Sequence, residues 1–164
     1  MAIVIVTDAN VLINLTHIEQ LPLLAKLDSY EFRVPREVLA EIEHSEQRVA
    51  VTAALQSGYL QEIVIDKIGA LELFGSLRDI MGQGEASCLA LAATEGFHIA
   101  SDEKKRFRRR AVELIGEERI HRTESLLLDA IRCNQISVDQ ADRCKLILDS
   151  KRYVMGFTSF GDIL

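Results

Sequence analysis

The chain has 164 residues, 48% of them hydrophobic and 27% charged, which suits one domain burying roughly 68–70% of its unfolded surface with no need of a disulfide or structural metal. A formal net charge of −6 argues against a chain that coats nucleic acid nonspecifically, since such binding depends on Lys and Arg neutralising phosphates; carboxylates that hold a cation would lower the sum without repelling an anion. Cys88, Cys133 and Cys144 are odd in number and unpaired in pattern, and no run nears the roughly 18 apolar residues of a membrane span. With no basic stretch opening Met1-Ala2-Ile3, the expectation is a cytoplasmic protein with reduced thiols.

Ile3-Val4-Ile5-Val6 is β-branched without alternation and reads as a strand covered on both faces, as in parallel sheets flanked by helices. Leu12, Leu15, Ile18, Leu21 and Leu24 then fall at helical spacings, with Pro22 opening a second helical piece. Phe32-Arg33-Val34 reads as a short strand, and Pro35 suits the first turn of a helix with Val38, Leu39 and Ile42 inward. A helix over residues 46–57 is expected to turn Val49, Ala53 and Leu55 inward and to stop at Gly58. Residues 60–65 follow as a strand, 68–80 as a helix, 85–95 as a strongly helical run closed by Gly96, and 97–100 as a buried strand. A basic helix is expected over 103–115, a short strand over 119–121, and two helices over 124–133 and 138–149; residues 153–164 match no pattern. The alternation predicts an α/β fold, a three-layer sandwich with a mostly parallel central sheet.

In open parallel sheets, ligands bind outside the carboxyl ends of the strands. Asp8 ends the first strand and Asp102 the fourth, while Glu41 and Glu85 lie in early helical turns near that edge. If the strands of Asp8 and Asp102 are neighbours, four carboxylates can converge. They would repel one another unless a cation held them, and oxygen-only ligation suits Mg²⁺ or Mn²⁺ rather than zinc. Such ions activate water for phosphodiester hydrolysis with no Ser, Cys or His nucleophile. Each acid also has a plainer reading: Asp8 and Asp102 as helix caps, Glu85 as a first-turn complement to its helix dipole, Glu41 as a solvent-facing helix residue.

Thr7-Asp8-Ala9-Asn10-Val11-Leu12-Ile13, Val34-Pro35-Arg36-Glu37-Val38-Leu39-Ala40-Glu41, Gly84-Glu85-Ala86-Ser87 and Ala100-Ser101-Asp102-Glu103 together make the chain resemble the PIN-domain nuclease family, which includes the VapC-like ribonuclease toxins of bacterial toxin–antitoxin pairs. The resemblance spans nearly the whole chain. It implies that Asp8, Glu41, Glu85 and Asp102 form an acidic metal site, with Glu in the third position where many relatives have Asp. It also implies RNA rather than DNA as substrate, an antitoxin partner, a homodimer, and a single PIN-like domain over 1–164 in which 124–164 is a helical extension. Glu103 is the candidate for a further acid near the fourth, Asn10 for a supporting polar group, and Thr123 for the hydroxyl that relatives place after the last strand; capping explains each equally.

Six basic residues crowd positions 104–110, the densest positive charge in the chain. Lys104, Lys105 and Arg108 are candidates for holding phosphates, against the plainer reading of a solvated helix face. Gly82-Gln83-Gly84 lacks both the dinucleotide and the P-loop pattern, and His17, His44, His98 and His121 show no metal-ligand spacing. Two other functions compete with a nuclease. One is a catalytically silent RNA- or protein-binding module that keeps its acids. The other is a phosphotransfer protein of haloacid-dehalogenase or receiver type, weakened because Asp8-Ala9-Asn10 lacks a second acid.

Overall fold

The computed structural model describes all of residues 1–164. Five strands, β1 (Ile3–Thr7), β2 (Tyr30–Pro35), β3 (Leu60–Ile63), β4 (His98–Ala100) and β5 (Ile120–His121), form one sheet in the order β3-β2-β1-β4-β5. Every pair is parallel, so the sheet is wholly rather than mostly parallel. Eight α-helices supply the crossovers and cover: α1 (Ala9–His17), α2 (Arg36–Glu41), α3 (Ser45–Ser57), α4 (Ile68–Leu77), α5 (Gln83–Glu95), α6 (Arg106–Ile115), α7 (Thr123–Arg132) and α8 (Val138–Ser150). Pro22 opens a 3₁₀ turn, Leu21–Lys26, instead of an α-helix.

The connections after β1 run to one side of that strand and later return to the other, so the topological switch point lies between β1 and β4. Thr7 is in register with Ala100, and the Asp8 amide donates to the Ala100 carbonyl at 2.9 Å. The strands carrying Asp8 and Asp102 are therefore neighbours. Ile5, Val6, Phe32, Val34 and Ile99 are all essentially inaccessible, the two-faced cover that uninterrupted β-branched strands require. Leu126, Leu127, Leu148 and Phe160 join the same continuous core, which ties the carboxyl-terminal helices and tail to the sheet.

Two local expectations need correction. On α3 the inward residues are Val51 and Ala54, with Leu55 half-buried, while Val49 is 70% exposed and Ala53 faces water. Positions 51, 54 and 55 form the i, i+3, i+4 stripe, and 49 and 53 lie on the other side of it. The basic helix starts at Arg106, so Glu103, Lys104 and Lys105 form an irregular link after β4. Residues 153–164 pack back as an extended tail ending in a 3₁₀ turn, Phe160–Asp162. The Asp142 carboxylate on α8 pins this tail, accepting from Ser159 Oγ at 2.7 Å and the Phe160 amide at 2.9 Å.

Candidate active site

Asp8 leaves β1 with extended backbone and caps α1, its Oδ1 accepting from the Ala9 amide at 2.8 Å. Its Oδ2 accepts from Ser101 Oγ at 3.2 Å. The cap and the site candidate are thus the same residue, only 3% exposed. Beneath it Cys88 Sγ lies 3.5 Å from the Thr7 carbonyl, which fixes α5 under the strand end and brings Glu85 to the same edge.

Glu41, the last residue of α2, reaches across to α5, where its Oε1 accepts from the Gly84 amide at 2.9 Å. The approach needs a glycine. A Cβ built on Gly84 would fall 2.6 Å and 2.7 Å from the two Glu41 oxygens, closer than any side chain permits. Gly84-Glu85 is therefore one device: the first residue seats Glu41 and the second adds its own carboxylate.

Asp8 and Glu85 sense the carboxylates around them. Burial pushes the Asp8 carboxyl up to about 6, and the negative charges of Glu41 and Glu103 add to the rise. Burial likewise raises Glu85 to about 7, with repulsion from Asp8, Glu103 and Glu41 next in size. Glu103 lies on the exposed link, oriented by Asn10, whose Nδ2 donates to Glu103 Oε1 at 3.0 Å. The Asn10 Oδ1 accepts the Asp102 amide at 3.1 Å. Asn10 is in this way a brace between two consecutive acids.

Asp102, a metal-ligand candidate from the sequence, sits inside a network of donors. It is 7% exposed, and both of its oxygens are taken. Oδ1 accepts from the Thr123 amide at 2.8 Å and from Tyr153 OH at 2.9 Å. Oδ2 accepts from Asn14 Nδ2 at 2.7 Å and Thr123 Oγ1 at 2.5 Å. Four donors around one carboxylate make it a junction that joins α1, α7 and the tail to the end of β4. Thr123, fully buried, serves that junction rather than facing the acid cluster.

Ser101, Asn14 and Tyr153 escaped the sequence reading. Asn14 had a signal, since it stands four residues after Asn10 on the same face of α1. Tyr153 had none, because it reaches Asp102 across 51 positions of chain. The Arg122 guanidinium lies 5.9 Å over the Tyr153 ring and pairs with Glu124 at 3.0 Å, and burial raises Glu124.

Beside the acids opens a cleft of about 680 Å³, lined by Glu85, Glu103 and Glu113 and by Lys104, Lys105, Arg106, Arg109 and Arg110. Arg108 does not line it. Its guanidinium is turned to Glu117 at 2.7 Å, as the spread of consecutive residues around a helix demands. Lys105 holds φ at +59°, a backbone shape that L-residues adopt rarely and at a cost of order 1–3 kcal/mol, and one that clusters at functional sites.

The donor set suits a hard cation, because Glu85 accepts no hydrogen bond and Glu41, Glu103 and Asp8 each keep lone pairs free. As they stand, no three Asp, Glu, His or Cys side chains are gathered tightly enough to cage an ion. No helix is long and apolar enough to cross a membrane. No curated protein matches the chain. The profile of a family described as a PIN domain matches residues 4–150, nearly the whole chain and all the acids above, and with the five-stranded parallel sheet between helices it shows that the chain belongs to the PIN-domain family, a nuclease fold.

Proposed function

We propose that the protein is a divalent-cation-dependent endoribonuclease of the cytoplasm that hydrolyses RNA phosphodiesters at the carboxyl edge of β1 and β4. The observation that carries this reading is the gathering of acids at the topological switch point, where burial and the negative charges of Glu41 and Glu103 raise Asp8 and Glu85. Uncompensated, four such charges disfavour the fold; a bound Mg²⁺ or Mn²⁺ would relieve the repulsion, activate water and stabilise the leaving oxygen. In this reading Asp8, Glu41, Glu85 and Glu103 hold the ion. Asp102, proposed from the sequence as the fourth ligand, becomes the positioning residue that fixes the β4 end. Ser101 and Asn10 orient Asp8 and Glu103, and the basic link after Glu103 meets the phosphates. A toxin role, an antitoxin and a homodimer remain part of the proposal on the resemblance alone.

The test is cleavage of RNA and single-stranded DNA with Mg²⁺ or Mn²⁺, comparing the parent with Asp8→Asn, Glu85→Gln and Glu103→Gln. Activity should vanish in EDTA, return with Mn²⁺ and fall in all three variants; parental rates in Asp8→Asn and Glu85→Gln would end the proposal. A second reading, a silent binding module, is favoured by the saturated Asp102 carboxylate. It predicts RNA binding with no cleavage under either metal. The phosphotransfer alternative loses support, since Asn10 is occupied bracing Glu103 and the Asp102 amide.

A further inference from the structure

A second cleft, of about 580 Å³, shares no residue with the first and opens where three helix ends meet. His17 and Glu19 reach it from the carboxyl end of α1, His44 and Glu46 from the amino end of α3, and Lys151 from the carboxyl end of α8. None of these five makes an ion pair; the pair that α8 does form, Lys145 with Asp149 at 3.2 Å, lies outside the cleft. His17 is half-buried among them. Lys151 and His44 oppose a positive charge on its ring, and Glu46 favours one with a smaller effect.

The two helices that end here close in the same way. At α1 the Gln20 amide returns to the Leu15 carbonyl at 2.8 Å with Glu19 at φ +55°, and at α8 the Tyr153 amide returns to the Leu148 carbonyl at 2.9 Å with Arg152 at φ +68°. Glycine is the usual residue at the left-handed position of such a cap. Side chains there hold both caps under backbone strain. Tyr153 is the last link of the α8 cap and also donates its hydroxyl to Asp102 Oδ1 at 2.9 Å. One strained turn therefore borders the cleft and delivers the tail to the end of β4.

We propose that this cleft is an acid-sensitive latch: a proton taken up by His17 repels Lys151, opens the α8 cap and withdraws Tyr153 from Asp102. Asp102 then keeps three of its four donors, and the β4 end that leads to Glu103 is less firmly held. Burial is the largest effect on His17, followed by Lys151 and then His44, and together they hold its ring below the ordinary 6.5. A histidine held low contributes stability that is complete above 6.5 and is lost as pH falls through its native value. That the latch regulates cleavage rests on the nuclease reading; the opening itself does not.

The experiment incorporates fluorotyrosine into the full chain and follows Tyr153 by fluorine NMR from pH 8 to pH 5, its signal assigned by its loss in Tyr153→Phe. The His17 ring is followed in parallel by proton–carbon spectra. Tyr153 should move from a buried to an exposed shift with the midpoint of His17, below 6.5, while Tyr59 stays in place. In His17→Gln the Tyr153 signal should stay buried throughout, and in His17→Lys it should already be exposed at pH 8. In Lys151→Gln the His17 midpoint should rise and Tyr153 should stay buried; where His17→Lys does not fold, this variant decides. A Tyr153 signal that moves equally in His17→Gln or Lys151→Gln, or that stays fixed while His17 titrates in the parent, overturns the latch. Cleavage of RNA with Mn²⁺ should fall less from pH 8 to pH 6 in His17→Gln than in the parent, and equal falls overturn its control of the reaction. If Tyr153 responds as described yet the parent cuts nothing under Mg²⁺ or Mn²⁺, the nuclease reading fails and the latch stands; cleavage with an unresponsive Tyr153 is the reverse.

Discussion

Replacing Gly84 with alanine separates the stability of this fold from the assembly of its acid cluster. The added methyl would sit 2.6–2.7 Å from both Glu41 oxygens, where one partner must leave. Glu41 ends a flexible, exposed side chain, while Gly84 is buried in the first turn of α5, so the glutamate swings into water. Lost with it is the Gly84 amide bond to Glu41 Oε1, worth roughly 0.5–1.5 kcal/mol at an exposed acceptor. Alanine restores roughly 0.5–1 kcal/mol through its lower chain entropy in a helix. Gly84→Ala should accordingly unfold in urea within about 1 kcal/mol of the parent, yet lose about 10–100-fold in cleavage rate, the usual effect of misplacing a group that orients a metal site. Urea titration and initial rates on RNA with Mn²⁺ give the two numbers. In a Glu41→Gln background the same change should cause little further loss, because the carboxylate is already gone. A parental rate in Gly84→Ala would refute the assignment of Glu41 to the site, and a destabilisation of several kcal/mol would show that the α5 backbone yields instead.

The raised Asp8 carboxyl favours the native state below its unfolded value of 3.8, and that stability is lost as pH rises through about 6; the effect is roughly 3 kcal/mol. Addition of Mg²⁺ or Mn²⁺ should therefore raise Tm at pH 8 and do little at pH 5, and an equal shift at both pH values would contradict the cation site. His121 acts in the opposite sense. Burial and the neighbouring His98 ring, 2.9 Å away from Nδ1 to Nε2, hold it down to about 4, so its contribution is complete above 6.5 and is lost as pH falls through about 4. The two windows overlap with opposite slopes, so each is read as a difference: Asp8→Asn should steepen the acid-side fall in stability, and His121→Phe should flatten it. Tyr153→Phe removes one of four donors to Asp102 and should cost about 1–3 kcal/mol in urea unfolding with the metal dependence of cleavage unchanged; an altered Mn²⁺ requirement would instead place Asp102 on the ion. Asp102→Asn should be destabilising by a similar amount even without metal, since an amide turns a donor toward Asn14 or Thr123.

Much of this protein was legible because its signals are local. The β-branched run 3–6 marks a strand buried on both faces, the 3.6-residue periodicity of 85–95 marks α5, and an acid directly after a strand belongs to a sheet edge whatever the rest of the chain does. Glu103 reads in sequence as an auxiliary acid or a helix opener, because the two look the same there; the fold puts it on the link before α6. Periodicity turns Val49 and Ala53 of α3 inward, but two apolar stripes compete there and only packing selects Val51 and Ala54. The sequence by itself thus determined the layered α/β architecture and the strand edge at which Asp8 and Asp102 lie. Only the tertiary structure decided which donors each carboxylate meets. Asp102 and Glu103 are adjacent in the chain and chemically alike, but Thr123, Asn14 and Tyr153, brought from three distant elements, saturate the first, while the second meets only Asn10. A carboxylate's role depends on which donors reach its lone pairs, and that is a property of the packed fold rather than of the residue.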